Sequence, residues 1–309
     1  MNHHVIVGSG PIGTALTARL TADGHEVTVV TRSGGESRDG VRHLALDAGD
    51  ADALSTVAAG AAVLYNAANP RDYHRWAEIW PPLAASLLTT AERTGAVLAT
   101  VGNLYGYGPV DGPISEDLPQ AATFTGGRVR AGMSADAFAA HEAGRVRSVE
   151  VRASDYLGGG AYAHANLAAR AALAGRTAMV VGDPDQPHTW TGTDDTARTL
   201  VAVATDERHH GRAWHVPSNE PRPLRRVVAD VAERAGVPVP RILGVPAWAI
   251  RSAGLGNGQM RAMADVMYQH TRPYVLDDSD ARRELGLAPT PWTDLLDDVV
   301  ATERSRAAA

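Results

Sequence analysis

The stretch that decides the fold is His4-Val5-Ile6-Val7-Gly8-Ser9-Gly10-Pro11-Ile12-Gly13. Residues 4–7 have the pattern of a short buried strand, and residues 14–22 have the pattern of an amphipathic helix. A G-x-G-x-x-G motif between a strand and a helix is typical of a dinucleotide-binding turn. Its glycines allow a tight turn, the close approach of a pyrophosphate, and the packing of helix against strand. We therefore predict that the dinucleotide contacts Gly8, Ser9, Gly10, Pro11, Ile12 and Gly13.

The next predicted strand, Glu26 to Thr31, ends in Thr31-Arg32-Ser33. Folds that bind NAD usually place an acidic residue here, about 20 residues after the glycines, to hold the ribose 2′-hydroxyl. This chain has no acid at that point. The Arg32 guanidinium is suited to a 2′-phosphate, and the hydroxyls of Thr31 and Ser33 can donate to the same group. We therefore predict NADP(H) as the cofactor.

Further strand patterns alternate with helical patterns, at residues 41–46, at residues ending in Asn66, at 96–101 and at 148–154. This alternation predicts an α/β protein with a Rossmann-type doubly wound parallel sheet. Ligands of such sheets lie beyond the carboxyl ends of the strands. The residues expected to contact adenine and ribose there are Asp47, Asn66, Ala67 and Ala68.

Composition narrows the possible functions. The 309 residues are 44% hydrophobic and carry a net charge of -6, which argues against disorder and against a nucleic-acid-binding surface. There is no cysteine, and none of the 29 Lys+Arg residues is a lysine, so thiol and lysine-amine chemistry are excluded. No apolar run approaches the roughly 20 residues of a membrane helix, and no signal peptide is recognised. We expect a cytoplasmic protein that acts on a small molecule, without nucleic-acid or membrane partners.

Two histidine pairs, His3-His4 and His209-His210, are the candidate metal ligands of the sequence. Adjacent residues of a strand point to opposite faces, and no further ligand follows at a suitable spacing. We therefore predict no metal site.

Several later motifs resemble the extended short-chain dehydrogenases/reductases of the NAD(P)-dependent epimerase/dehydratase superfamily. The resemblance spans nearly the whole chain. Its motifs are the glycine turn, Asp47, Asn66-Ala67-Ala68, Leu104-Tyr105-Gly106, Arg152, the glycines from Gly158, Val180-Val181-Gly182-Asp183, the Trp190 to Ala197 segment, and the Leu287-Ala288-Pro289-Thr290 end.

The resemblance implies a division into two parts. Residues 1–157 would form the NADP(H)-binding Rossmann domain. Residues 158–309 would form mainly a smaller C-terminal substrate-binding lobe, with strands near residues 177–182 returning to the main sheet.

The catalytic residues of that family do not match this sequence. Members carry a Ser or Thr after the fifth strand and a Tyr-x-x-x-Lys pair on the next helix. Counting back from Arg152 by the family's separation places Gly126 at the Tyr position and Arg130 at the Lys position, while a shift of two gives Phe124 and Arg128. Since the chain has no lysine, no alignment restores the pair. The sequence is thus identified as an atypical member of the family.

Other groups must then supply the proton. Tyr105 and Tyr107, with Asn103 beside them, follow the fifth strand and are our candidate catalytic residues. Turn packing is the alternative role of the Tyr-Gly-Tyr-Gly segment. The resemblance implies substrate contacts for Asp155 and His188, with packing as the alternative for His188. Arg128, near the expected Lys position, is the third substrate-binding candidate.

Tyr73, Trp76 and Trp80 follow the i, i+3, i+7 spacing of one helix face. Core or subunit packing is the favoured interpretation, with substrate stacking as the alternative. The corresponding helix often forms dimers in the resembled family, so a homodimer is possible.

Three functional hypotheses follow. The first is an NADP(H)-dependent oxidoreductase that acts on a small organic carbonyl or alcohol with a nonstandard proton donor. The second is an isomerase, epimerase or dehydratase that recycles its bound cofactor. The third is a redox-inactive NADP(H)-binding sensor or partner protein, suggested by the missing Tyr and Lys.

Overall fold

The structure is a computed structural model, and it describes residues 1–308. The strands within that range are β1 (His3–Val7), β2 (Glu26–Thr31), β3 (Val41–Ala45), β4 (Val63–Asn66), β5 (Val97–Asn103), β6 (Ser148–Ala153), β7 (Asp155–Leu157), β8 (Ala178–Val181), β9 (Trp190–Gly192), β10 (Ala213–His215) and β11 (Ile242–Val245). The α-helices are α1 (Pro11–Ala22), α2 (Ala51–Val57), α3 (Trp76–Thr94), α4 (Thr125–Glu142), α5 (His164–Leu173), α6 (Thr193–Thr205), α7 (Leu224–Ala235), α8 (Ala247–Ala253), α9 (Gly258–Asp265), α10 (Ser279–Leu285) and α11 (Trp292–Ala308).

Seven strands form the main sheet, in the order β10-β6-β5-β4-β1-β2-β3. The pairs from β3 through β2, β1 and β4 to β5 are parallel. Strand order reverses between β1 and β4, which is where ligands of doubly wound sheets bind. The predicted Rossmann-type fold is confirmed.

The chain divides into two compact units. The first unit holds residues 1–106, 120–152 and 196–214, and therefore the main sheet except the last residue of β6 and the last residue of β10. Its core is built from apolar strand residues and the inner faces of α2 and α3, including Val5, Leu54, Leu64, Leu87 and Leu98. Buried apolar runs such as Val5-Ile6-Val7 are typical of strands in parallel sheets that are covered on both faces.

The second unit holds residues 107–119, 153–195 and 215–309. It contains two small parallel sheets, β7 with β9 and β8 with β11. Its core joins α5, α7 and α11 through apolar residues such as Ala169, Val228, Val231 and Val299. The helix α7 ends at Gly236, whose φ of 69° allows the left-handed cap that favours glycine.

One predicted strand lies in a different sheet from the one expected. The strand β8, predicted to return to the main sheet, pairs with β11 in a sheet of its own. The short strand β10 joins the main sheet beside β6 instead. Only three residues long, β10 has too little pattern to be recognised in the sequence. Within residues 1–308, no helix is long and apolar enough to cross a membrane.

Candidate functional site

The turn after β1 has the geometry that its glycines predict. Gly8 has a φ of 105°, and a Cβ added to it would lie 2.7 Å from the carbonyl oxygen of Ala67. A Cβ on Gly13 would overlap the carbonyl oxygen of Gly8. A Cβ on Gly10 would instead meet nothing within 4 Å. The turn therefore needs glycine at positions 8 and 13 for its own packing, whereas Gly10 faces open space.

The start of α1 adds backbone donors to this turn. Gly10 is the N-cap residue, Pro11 opens the helix, and no side chain caps the first N–H groups. Those groups and the helix dipole favour an anion. Ser9 and Gly10 are exposed, while Ile12 packs its side chain into the core. The turn can thus receive a pyrophosphate through its backbone, as P-loop-like and Rossmann turns do.

The carboxyl end of β4 lies directly beside the turn. The N–H of Ala67 donates to the carbonyl of Val7, and the Oδ1 of the buried Asn66 side chain accepts from the N–H of Ala68 at 3.3 Å. These bonds fix the backbone of residues 66–68 against Gly8. The predicted contacts of Asn66, Ala67 and Ala68 are therefore placed at the mouth of the glycine turn.

The residues at the ends of β2 and β3 differ in exposure and in hydrogen bonding. Arg32 is exposed, and within residues 1–308 it forms no ion pair. Ser33 is also exposed, but the Thr31 hydroxyl donates to the carbonyl of Gly34 at 2.9 Å. Asp47 accepts the N–H of Gly49 in a turn. Arg32 and Ser33 are thus exposed at the end of β2, while the hydroxyl proton of Thr31 is already used.

Gly126, the expected Tyr position, is surrounded by aromatic rings. A Cβ on Gly126 would lie 3.5 Å from the Trp76 ring and 3.7 Å from the Phe124 ring. Tyr105 stacks on Trp76 with ring centroids 6.0 Å apart, and Tyr73 stacks on Trp76 at 4.4 Å. The half-buried phenol of Tyr105 therefore belongs to the aromatic cluster that surrounds Gly126.

Asn103 positions Tyr105, because its Oδ1 accepts the N–H of Tyr105 at 3.1 Å. The tryptophans of the predicted aromatic face are core residues: Trp76 is 1% exposed and Trp80 is fully buried. The predicted packing role of this face is confirmed for both tryptophans.

Tyr107, the second candidate proton donor, lies in the second unit, where its hydroxyl makes a buried hydrogen bond. The side chain is buried, and its hydroxyl lies 2.9 Å from Nε2 of His215. Nδ1 of His215 lies 2.8 Å from the carbonyl oxygen of Asp277, which can only accept, so Nδ1 carries the ring proton. Nε2 then accepts the Tyr107 proton. The hydroxyl of Tyr107 is thus engaged in a buried structural bond.

Arg130 and Arg128, the two candidates for the expected Lys position, differ in their surroundings. Arg130 is buried, its guanidinium donates to the carbonyl of Val101 at 2.6 Å and it stacks over Trp80 at 4.8 Å. Arg128 is exposed and lines a cavity of about 460 Å³ between α3, α4 and the sheet. Polar residues of that cavity include Asn66, Thr100 and Glu150. Arg128 is therefore the accessible arginine of the pair.

A second polar cluster lies in the second unit and brings together the predicted Asp155 and His188. Oδ2 of Asp155 lies 3.2 Å from Nε2 of His188 and 3.7 Å from Nε2 of His270. His188 is buried between the rings of Trp190, at 4.1 Å, and Tyr274, at 5.2 Å.

Burial and charge set the protonation of this second cluster. Burial raises the pKa of Asp155, but its closeness to His188, His270 and His164 outweighs this and holds the pKa below the ordinary range. Burial lowers the pKa of His270 to about 3 and that of His164 to about 4. At neutral pH, Asp155 is therefore an anion, and the imidazoles of His164 and His270 are neutral.

Sequence reasoning missed His164 and His270. The ring centroids of these two lie 4.4 Å apart, and Nε2 of His164 accepts the N–H of Val181 at 2.9 Å. Neither histidine follows a recognisable motif, and more than 80 residues separate His188 from His270. Only the fold brings these four polar groups together.

Comparison with known proteins agrees with this fold and turn. The model of the NAD dependent epimerase/dehydratase family matches residues 5–216. A curated relative, the dTDP-6-deoxy-L-talose 4-dehydrogenase (NAD(P)(+)) of Kitasatospora kifunensis, is 26% identical over 261 residues, which cover 79% of this chain and 81% of that protein.

Two solved structures illustrate the structural similarity. The dTDP-glucose 4,6-dehydratase of Bacillus anthracis in complex with NAD is 16% identical and superposes with a TM-score of 0.82, over 100% of this chain and 98% of that one. The UDP-glucose 4-epimerase of Thermotoga maritima with UDP-glucose is 15% identical and superposes with a TM-score of 0.80, over 99% of each chain. At these identities the likeness shows the fold.

Proposed function

Because the chain belongs to the NAD dependent epimerase/dehydratase family, we propose that it is an enzyme that uses a nicotinamide dinucleotide to oxidise or reduce an alcohol or carbonyl carbon of a sugar nucleotide. The observation that carries this proposal is the glycine turn. Gly8 and Gly13 leave no room for a Cβ atom, whereas Gly10 leaves an open face beside helix N–H groups that no side chain caps. The substrate class is supported by the dTDP-sugar dehydrogenase that is 26% identical.

The cofactor that the residues favour is NADP(H). The exposed guanidinium of Arg32 and the exposed hydroxyl of Ser33 stand at the end of β2, where a 2′-phosphate binds in this fold. Six of the similar solved structures hold NAD, so the binding of NAD(H) and of NADP(H) has to be compared on this chain itself.

The roles of the protein residues follow from the site. The backbone N–H groups at the start of α1 would hold the pyrophosphate of a bound dinucleotide, and the backbone of residues 66–68, beside Gly8, would border its ribose. When bound, the nicotinamide supplies hydride transfer. Tyr105 donates or accepts the proton of the substrate oxygen, and Asn103 positions Tyr105 through its backbone N–H. Arg128, Asp155 and His188 remain proposed substrate contacts.

A second candidate is an epimerase or dehydratase that returns the hydride to its own substrate. Its support is the superposition on a UDP-glucose 4-epimerase and a dTDP-glucose 4,6-dehydratase. The two candidates differ in one observable, since the first consumes the dinucleotide and the second regenerates it.

The test is to mix the enzyme with NADP⁺ or NAD⁺ and with dTDP-glucose or UDP-glucose, and to follow nicotinamide absorbance and the sugar product by NMR. Net reduction of the dinucleotide supports the dehydrogenase, and a changed sugar without net reduction supports the second candidate. Tyr105→Phe should lower turnover about 10²–10⁴-fold, the usual contribution of a general acid or base. Tyr107→Phe is the matched control, with turnover unchanged. Dinucleotide binding without any hydride transfer to these sugars or to keto sugar nucleotides would favour the redox-inactive sensor.

A further inference from the structure

Asp155 and His188 place two potential metal-ligand atoms side by side. Nδ1 of His188 lies 3.1 Å from the carbonyl oxygen of Gln269, which only accepts, so Nδ1 carries a proton and Nε2 is the ring nitrogen left for a ligand. Nε2 of His188 lies 3.2 Å from Oδ2 of the Asp155 carboxylate.

The spacing of these atoms suits ligands of one shared metal ion. Nε2 of His188 is buried, and by its geometry it makes no hydrogen bond, although Oδ2 of Asp155 lies 3.2 Å away. Ligands of one ion lie side by side in this way, with their lone pairs converging on a third point. Bonds of about 2.1 Å at tetrahedral or octahedral angles separate neighbouring ligand atoms by roughly 3.0–3.6 Å. The Asp155 carboxylate lies 3.2 Å from His188 and 3.7 Å from His270.

The donor set is complete for an open metal site. One ligand atom each from Asp155, His188 and His270 lies within 4.8 Å of the other two. Three protein ligands of this kind with a remaining open position are typical of non-structural Zn²⁺ and related divalent ions. The bond from His188 to the Gln269 carbonyl is the outer-shell contact that orients metal-binding histidines. Asp155 and His270 are only partly buried, so solvent ions can enter.

We propose that Asp155, His188 and His270 form a binding site for one divalent transition-metal ion of the Zn²⁺ type in the second unit of the chain. The site is additional to the dinucleotide turn and to the hydride chemistry proposed above. The metal readout needs neither cofactor nor sugar, so the two proposals can fail separately.

The experiment uses the full chain with any affinity tag removed, stripped with EDTA and titrated with ZnCl₂ by calorimetry, with metal content measured by mass spectrometry. We expect about one Zn²⁺ per chain. His270→Ala and Asp155→Asn should each weaken binding at least about 100-fold, since loss of an outer-shell partner alone costs 10–100-fold. His209→Ala is the matched control, because His209 and Asp206 form a His–Asp pair 3.7 Å apart, and binding should be unchanged.

Two results would overturn the proposal. Less than about 0.1 Zn²⁺ per chain, without binding heat, would mean that a proton alone bridges Asp155 and His188. Binding of equal strength in His270→Ala and Asp155→Asn would place the metal elsewhere. Circular dichroism checks that each variant folds. Should the variants unfold, X-ray absorption on the Zn²⁺-loaded wild-type protein decides, with two imidazole ligands expected and fewer than two contradicting the site.

Discussion

In the glycine turn, Gly8 is required for folding, whereas we expect Gly10 to be required for dinucleotide binding. Alanine substitutions at these two positions can measure the two requirements separately. Gly10 has a φ of -69° and a ψ of -175°, a conformation that alanine adopts without strain, and its Cβ would meet nothing within 4 Å. Alanine lowers the entropy of the unfolded chain, which stabilises by about 0.4–1 kcal/mol. As an N-cap it is poorer than glycine by a similar amount, roughly 0.5–1 kcal/mol. The free energy of unfolding of Gly10→Ala should therefore stay within about 1 kcal/mol of wild type.

Dinucleotide binding should respond very differently. The added methyl group of Gly10→Ala occupies the space through which the pyrophosphate approaches the backbone. Loss of one or two hydrogen bonds to a charged group costs about 3 kcal/mol in total, which is roughly 100-fold in affinity. Calorimetric titration with NADPH measures this effect.

Gly8→Ala supplies the opposite case. A φ of 105° costs an alanine about 1–3 kcal/mol, and the Cβ also lies 2.7 Å from the carbonyl oxygen of Ala67. Gly24→Ala is the control for strain alone, since its φ is 77° and its Cβ would meet nothing within 4 Å. Urea unfolding should rank Gly8→Ala as the least stable of the three variants. Wild-type NADPH affinity in folded Gly10→Ala would refute the reasoning.

Two further predictions concern buried groups outside the turn. Tyr107→Phe removes the hydroxyl that donates to Nε2 of His215 and leaves that buried nitrogen unpaired. Urea unfolding should therefore show that the free energy of unfolding falls by about 1–3 kcal/mol. An unchanged free energy of unfolding would contradict the hydrogen bond. His4 is buried without a hydrogen-bond partner, and burial first, then His25 and His3, lower its pKa to about 4. Since the unfolded chain binds this proton from about pH 6.5 downward, the stability due to neutral His4 is present above pH 6.5 and is lost as the pH falls toward 4, by up to about 3 kcal/mol. His4→Phe should flatten that part of the pH profile of urea unfolding, and an unaltered profile would show that another group carries it.

The sheet and its ligand-binding edge could be predicted from sequence because they depend on local patterns. The glycine turn, the apolar strands and the carboxyl-end residues Asn66 and Asp47 each carry their signal within a few residues. The sheet that β8 joins could not be predicted, because an apolar strand of four residues fits either sheet. Its place is determined by pairing with β11, which is distant in the sequence.

The sites were predictable to a smaller extent. Asp155 and His188 were found through family motifs, but His270 comes from a short 3₁₀ turn, Met267–His270, with no periodic pattern. The burial of Tyr107 depends on His215, which is 108 residues away. Contacts of that range are made by tertiary packing and leave no local signal in the sequence.

The most direct test of the account is calorimetric titration of NADPH, NADP⁺, NADH and NAD⁺ into the wild-type protein, Arg32→Ala and the control Arg176→Ala, an exposed arginine in the second unit. A charge-assisted bond to a phosphate contributes about 2 kcal/mol, so Arg32→Ala should weaken NADPH roughly 30-fold and leave NADH unchanged. Arg176→Ala should bind all four as the wild type does. Failure of the wild-type protein to bind any of the four dinucleotides would contradict the central claim that the turn after β1 holds a nicotinamide cofactor.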